Sequence, residues 1–444
     1  MTDKNIIKLL LLHIGIGILI AILPFFSKIY TILIVLIGVY FVIKNQNKNS
    51  EVLYAISYLV GSEVFLRTTD GSLSYELGKY FMLLFSVLGI YFSGITEKRN
   101  PYWIFLLLLL PGILISIESL QGDFKKKILF EVLGPLCLGV CALYTYKRKI
   151  TSEELHSILG ISLFPTIACT VFLMIKYPYY DGIVNCTESN FYLSGGLAPN
   201  QMATVLGLAT FICFTRIALV PASKKIVIVC LIVFCLIYYR GLLTFSRGGM
   251  ITSLSIIALF SVLVFLSGEK RNKIRQKLVL MIILLPTIFL MASYQTDSIL
   301  FRRYVNKNVN GLPKGPEVNG RKHLIMEEIK FFKENPMLGM GVGRTKEIRK
   351  VKHGSAISNH NEITRLLAEH GLLGVLSLII LLSTPLLLYI KNKKNIFLLA
   401  FLGFWLLTIS HSATRIAAPA FIYVLALLQI NFNGKDSIIE NDSV

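Results

Sequence analysis

Apolar runs of close to 20 residues, separated by short polar segments, recur along the chain from residue 6 to residue 432. A run of that length is what an α-helix needs to cross the roughly 30 Å hydrocarbon core of a bilayer. Lipid offers no water to unpaired backbone groups, so a chain crosses it only as helices or as a closed barrel. A barrel requires alternating polarity, which these runs lack. Composition agrees: 54% of the residues are hydrophobic, 16% are charged and the mean hydropathy is +0.67, outside the range of soluble globular domains. The expected fold is an all-α polytopic membrane bundle of about 12–14 transmembrane helices. Fourteen spans fall near 6–25, 29–44, 52–66, 78–96, 102–119, 128–146, 155–177, 200–219, 225–243, 249–267, 277–294, 366–390, 396–411 and 416–432. The first run lacks a small-residue cleavage site and flows into the second, so it reads as a retained helix.

A net charge of +20 would suit a nucleic-acid binder, yet most basic residues sit in short clusters beside the apolar runs, as the positive-inside rule predicts. The expected partner is the lipid bilayer, and nucleic acid is not expected. With the N-terminus cytoplasmic, the inner loops hold Lys44 and Lys48, Lys98 and Arg99, Lys147 to Lys149, Lys224 and Lys225, 270–277, and Lys391 to Lys394. Lys125 to Lys127 are the exception: on this count they would lie outside, which points to a miscounted early span as the alternative. Six of the seven cysteines fall in apolar runs, and only Cys186 lies in an outer loop, which argues against a disulfide framework or thiolate metal site.

This topology leaves 295–364 extracytoplasmic and far longer than any other connection, and loops of that length are usually functional or disordered. It carries thirteen Lys or Arg against seven Asp or Glu. A loop this long escapes the positive-inside rule, so an anionic ligand is the reading its charge suggests.

Chemistry could sit at three helix starts. In Ser246-Arg247-Gly248-Gly249 the glycines remove side chains where a backbone must approach something closely, and Ser246 can cap the following helix. Arg247 could merely snorkel. At a helix N-terminus, however, a cation opposes the dipole until an anion binds both it and the free amides. Arg321, in Asn319-Gly320-Arg321, repeats the arrangement before an amphipathic helix bearing Ile325, Ile329 and Phe332 and ending by Pro336 and Gly339. A guanidinium there could grip phosphate oxygens bidentately. Gly339-Met340-Gly341-Val342-Gly343 is either a plain turn or a set of backbone donors to a phosphate, with Arg344 a further candidate. The third start is Ser358-Asn359-His360-Asn361-Glu362. Capping-box spacing of Asn359 and Glu362 would put His360 in the first helical turn, where the dipole favours the neutral imidazole a general base requires. Glu63 and Arg67 at the outer end of the third span are spaced as an ion pair, either functional or stabilising.

The Ser-Arg-Gly-Gly turn at 246–249, the outer loop with Gly320-Arg321 and Pro336-x-x-Gly339-x-Gly341-x-Gly343, and the His360-Asn361 start of a Leu-Ala-Glu-x-Gly-Leu-Leu-Gly helix resemble the O-antigen ligase and polymerase superfamily. The likeness is concentrated in 240–375, with Pro199-Asn200 similar to a family turn, and the chain departs from the commonest ligases in about two extra spans. The resemblance implies a GT-C-like fold and a glycosyltransferase that acts outside the bacterial cytoplasmic (inner) membrane without metal or other cofactor. It would move glycan from undecaprenyl pyrophosphate to a glycan, lipid or protein acceptor hydroxyl, as ligase or polymerase. Arg247 and Arg321 would then hold the pyrophosphate and His360 would activate the acceptor, with Ser246, Asn361, Arg344, Glu63 and Arg67 in support. It divides the chain into N-terminal helices 1–240, a catalytic region 241–375 that includes the loop 295–364, and C-terminal helices with a cytoplasmic tail, 376–444. The competing reading, a transporter or flippase of lipid-linked glycan, calls for charges spread through many spans and broken helices at matching positions, and neither is apparent.

Overall fold

A computed structural model describes residues 3–118, 124–266, 271–314, 318–353, 361–409 and 415–431, with side chains for all of these but 118, 124–129, 271–275, 318–321 and 352–353. The first eleven expected apolar runs are helices: α1 (Asp3–Ile22), α2 (Phe26–Asn45), α3 (Glu51–Thr68), α4 (Leu77–Ser93), α5 (Pro101–Glu118), α6 (Phe124–Thr145), α7 (Ser152–Lys176), α8 (Pro199–Leu219), α9 (Lys224–Leu242), α10 (Arg247–Leu266) and α11 (Arg271–Gln295). Three helices fold within the long loop, α12 (Ile299–Tyr304), α13 (Val318–Glu334) and α14 (Arg344–His353), and α15 (Glu362–Lys391), α16 (Ile396–Thr408) and α17 (Ala417–Leu425) follow it. Eight of these helices, α1, α2, α7 to α11 and α15, are long and apolar enough to cross a membrane, and α4, α5, α6 and α16 are shorter apolar helices.

Contacts fix which helix ends share a face. At one end Asn47, after α2, donates to Ser93 of α4 (2.9 Å) and to the hydroxyl of Tyr144 of α6 (2.8 Å). At the other end Arg67 of α3 meets Arg415, before α17, and Ser116 of α5 meets Val342 in the long loop. The helices therefore alternate in direction through α6, and the start of α6, with Lys125 to Lys127 in its first turn, lies at the long-loop end without any span having been miscounted.

The last expected span, 416–432, is only partly helical. The nine residues of α17 rise about 13.5 Å at 1.5 Å each, and the chain continues through a turn to a strand, Gln429–Asn431, paired in parallel with Lys149–Thr151 (β1). Tyr423, Leu427 and Ile430 are buried, so protein covers this irregular stretch of backbone. The core is centred on α3, α7 and α8, whereas α1 and α2 turn large apolar side chains such as Leu11, Ile22 and Leu36 outward.

Candidate functional site

Arg247 is the first residue of α10, entered through a tight turn in which Phe245 is left-handed (φ 56°). The cap expected from the Ser246 hydroxyl is not formed among the described residues: the turn is closed instead by the Ser246 N–H donating to Thr244 Oγ1 (3.2 Å). The close approach expected at the glycines is real but is to α8. A Cβ on Gly249 would lie 2.4–2.5 Å from backbone atoms of Ala203 and Thr204. Arg247 Nη1 donates to the Arg303 carbonyl (3.2 Å) and to Asn306 Oδ1 (3.4 Å), and Arg303 Nε donates back to the Phe245 carbonyl (3.3 Å). Arg303 and Lys314 both pair with Glu188, in the α7–α8 connection. Tyr304 lies beside this group, and its hydroxyl has no hydrogen-bond partner among the described residues. Burial pushes that phenol well above its usual range, Tyr238 adds to this, and the Arg247 and Arg303 guanidiniums pull it back.

The second half of the loop is built on a buried ion network whose bridges between elements no local pattern signalled. Arg365 of α15 bridges Glu131 of α6 (2.6 Å) and Glu362 (2.5 Å), with Glu369 4.0 Å away, and Lys346 of α14 also pairs with Glu131. Arg349 of α14 reaches Glu327 (2.6 Å) and Glu328 (3.0 Å) of α13, and the Thr364 hydroxyl donates to Glu328 (2.6 Å). These bonds lash α13, α14 and the start of α15 to one another and to α6.

The glycine-rich segment 339–343 completes that scaffold. Gly371 takes φ 58° and ψ −135°, which breaks α15. Met340 and Gly341 donate their N–H groups to the carbonyls of Ala368 and Glu369 (2.9 and 3.0 Å), Val342 donates to the Gly112 carbonyl (3.2 Å) and Gly343 to the Glu369 carboxylate (2.9 Å). Those four donors are committed to protein acceptors. The segment is a clasp on a broken helix, which is the plain-turn alternative and not a phosphate cradle.

Arg321 lies in the first turn of α13, at the helix start the sequence indicated, and its side chain is outside the described set. His360 is outside the described residues altogether. The helix that follows it begins at Glu362, and Asn361 is its cap, accepting from the Ile363 and Thr364 N–H groups (3.0 and 3.4 Å). The capping-box register expected from Asn359 is therefore two residues early, and the first helical turn lies beyond position 360. The shorter Asn361 arm reaches N2 and N3 from the adjacent position, so no box is needed. Arg344 opens α14, half-buried and with no hydrogen bond or ion pair to another described residue. Glu63 and Arg67 form the expected pair (2.6 Å), and both make further contacts to neighbouring elements, although Arg67 Nε is left without a hydrogen-bond partner among the described residues. Arg67 also donates to Gln201 (2.8 Å) and the Arg415 carbonyl (3.1 Å) and stacks on Tyr75, while Glu63 accepts from the Ala417 N–H (2.8 Å). That geometry joins α3, α8 and α17 and leaves little for a ligand. Among the described residues no group of three or more His, Cys, Asp or Glu is placed to hold a metal. The glutamates that do cluster are bridged by arginines.

Fold and site together define a polytopic helical membrane protein with a long basic loop folded over one end of the bundle. Residues 226–379 match the family model described as O-antigen ligase, so the chain's similarity to the O-antigen ligase and polymerase superfamily rests on that stretch. The activity that goes with it is membrane glycan processing of the ligase or polymerase type. No curated protein matches the chain.

Proposed function

We propose that this protein is a glycosyltransferase of the bacterial cytoplasmic membrane that transfers glycan from undecaprenyl pyrophosphate to an acceptor hydroxyl on the extracytoplasmic side, as an O-antigen ligase or polymerase. One observation carries the reading: the family-matched stretch contains Arg247, Arg321 and His360, with Arg247 and Arg321 in the first turns of α10 and α13 and His360 two positions before α15 in sequence. In this reading Arg247 and Arg321 grip the pyrophosphate oxygens as planar forks. His360 takes the acceptor proton as the acceptor oxygen bonds to the anomeric carbon. As that bond forms, the bond from the carbon to the pyrophosphate oxygen breaks, and the negative charge is taken up by the lipid pyrophosphate, which two guanidiniums stabilise. Tyr304 stands beside Arg247 as a neutral hydroxyl able to donate to the same anion. The test is deletion of the gene with analysis of surface glycans. Loss of all attached polymer marks a ligase and single repeat units on a normal anchor mark a polymerase, whereas unchanged surface glycan overturns the proposal.

A further inference from the structure

At the end of the bundle opposite the long loop, a cavity of about 590 Å³ opens between the α2–α3 turn, the end of α4 and the α6–β1 junction. Three cations line it, Lys48, Arg148 and Lys149, and no carboxylate does. The neighbouring acids are committed elsewhere: Glu51 accepts from the Asn49 N–H and side-chain amide (3.1 Å each), and Glu97 pairs with Lys147 (3.0 Å). Lys48 and Lys149 are exposed and make no ion pair with a described residue. Basic loops ordinarily spread their charge into water, whereas here it converges on one concave site.

The site is also built. Asn47 is buried, with its amide on Ser93 and Tyr144 and its Oδ1 taking the Val52 N–H (3.0 Å). This holds a turn in which Gln46, Asn47 and Ser50 are all left-handed (φ 52°, 55° and 60°), a conformation that costs energy in each non-glycine residue. Arg148 stacks on the Tyr144 ring at 4.2 Å and donates Nε to the Tyr144 carbonyl (3.1 Å) and Nη2 to the Gly94 carbonyl (2.7 Å). The guanidinium is thereby oriented, and Nη1 is left without a partner among the described residues. Burial lowers the Arg148 pKa, as expected where no carboxylate compensates the charge.

An independent feature says where the anion comes from. On α4, Tyr80, Leu84, Val87 and Tyr91 are all exposed, Tyr91 by 79%. Their spacing of four, three and four residues makes one outward apolar stripe, and it ends at Tyr91, which lines the cavity. A soluble phosphate has no use for that stripe. Basic pockets among helix ends are a recurring means of holding anionic headgroups.

We propose that this cavity binds the phosphate headgroup of an anionic membrane lipid whose acyl chains lie along the α4 stripe. The test is native mass spectrometry of the full-length protein from nanodiscs containing phosphatidylglycerol and phosphatidylcholine in equal amounts. Wild type should retain phosphatidylglycerol preferentially. The double substitution Lys48→Ala with Lys149→Ala, which removes two exposed unpaired groups and leaves the Asn47 frame intact, should cut that preference by about tenfold or more, since each cation near an anionic headgroup is worth about 1 kcal/mol. Arg148→Ala should reduce it further, and equal melting of the double variant and wild type checks the fold. Equal retention of the two lipids by wild type, or an unchanged preference in the folded double variant, overturns the proposal. Displacement of the lipid by millimolar inorganic phosphate would assign the site to free phosphate and overturn the lipid assignment. Lipid retention is read without any glycan transfer, so the result stands apart from the activity proposed above.

Discussion

The two halves of the long loop hold their charges in opposite ways. In the half that contacts Arg247, Arg302, Arg303 and Lys314 lean on backbone carbonyls and on Glu188, a carboxylate whose side chain is 59% exposed. In the half built from α13, α14 and the start of α15, Arg349 and Glu328 are 2% and 1% exposed, and bridges from Arg349, Lys346 and Arg365 cross to other elements. An exposed pair contributes little and yields readily to a competing anion, whereas removing one partner of a buried pair strands a charge in low dielectric. The first half therefore has cationic surface to offer an incoming phosphate, and the second is a frame that sets where α13 and α15 begin. That division assigns anion capture to one half and positioning to the other.

The largest expected effect tests whether the two halves serve one site. General-base assistance is worth ~10²–10⁴-fold, so His360→Ala should lower transfer by that factor in a purified assay while donor affinity is kept. Arg247→Lys and Arg321→Lys should each cost about 10²-fold, because an ammonium retains the charge but not the fork. If Arg247→Lys is silent while Arg321→Lys is not, the Arg247 half is no part of the site and the division fails.

Next is the frame itself. Arg349→Ala removes the Arg349 bridges to Glu327 and to buried Glu328 and should cost about 3–5 kcal/mol, read as a lowered unfolding midpoint in detergent. A smaller effect is expected at the clasp. Gly339 has φ +72°, and a Cβ there would lie 2.4–2.5 Å from the Glu369 and His370 backbone. Gly339→Ala should cost about 1–3 kcal/mol from backbone strain alone, with the loop more open to proteolysis. A neutral Gly339→Ala would show that α15 does not depend on the clasp.

What the sequence revealed follows the same line. Hydropathy marked all fourteen helical segments, because apolar length is a local property. The amphipathic pattern of Ile325, Ile329 and Phe332 marked α13 for the same reason, and Glu63 and Arg67 could be paired because they are one helical turn apart. Arg365 stands within a helical turn of Glu362 and Glu369, but the bridges that join the elements were invisible because their partners are distant in sequence: Glu131 and Arg365 are 234 residues apart and Glu328 and Thr364 are 36 apart. The glycine segment looked like a phosphate loop because its composition reports only backbone freedom. The acceptors that use its N–H groups are on α5 and α15. The cap of α15 was misjudged because Asn359 and Asn361 are both good caps, and tertiary packing of Glu362 chose between them, its N–H being held by the Ile409 carbonyl (3.1 Å).

The smallest effect is the sharpest measure of the difference between the halves. Glu188 pairs with both Arg303 (3.4 Å) and Lys314, so Glu188→Gln removes two ion pairs at once, as Arg349→Ala does in the frame. Exposed pairs contribute about 0.2–1 kcal/mol and are screened by salt, so the variant should melt within that margin of wild type, and the difference should vanish at high ionic strength. The two cations it releases add positive potential beside Arg247. Donor binding should then hold or tighten at low salt and converge with wild type as salt rises. Measuring melting and donor affinity for Glu188→Gln and Arg349→Ala across a salt series puts both halves on one scale. If Glu188→Gln costs as much stability as Arg349→Ala, or if it weakens donor binding, Glu188 is part of the frame and the first half has no surface to spare for an anion.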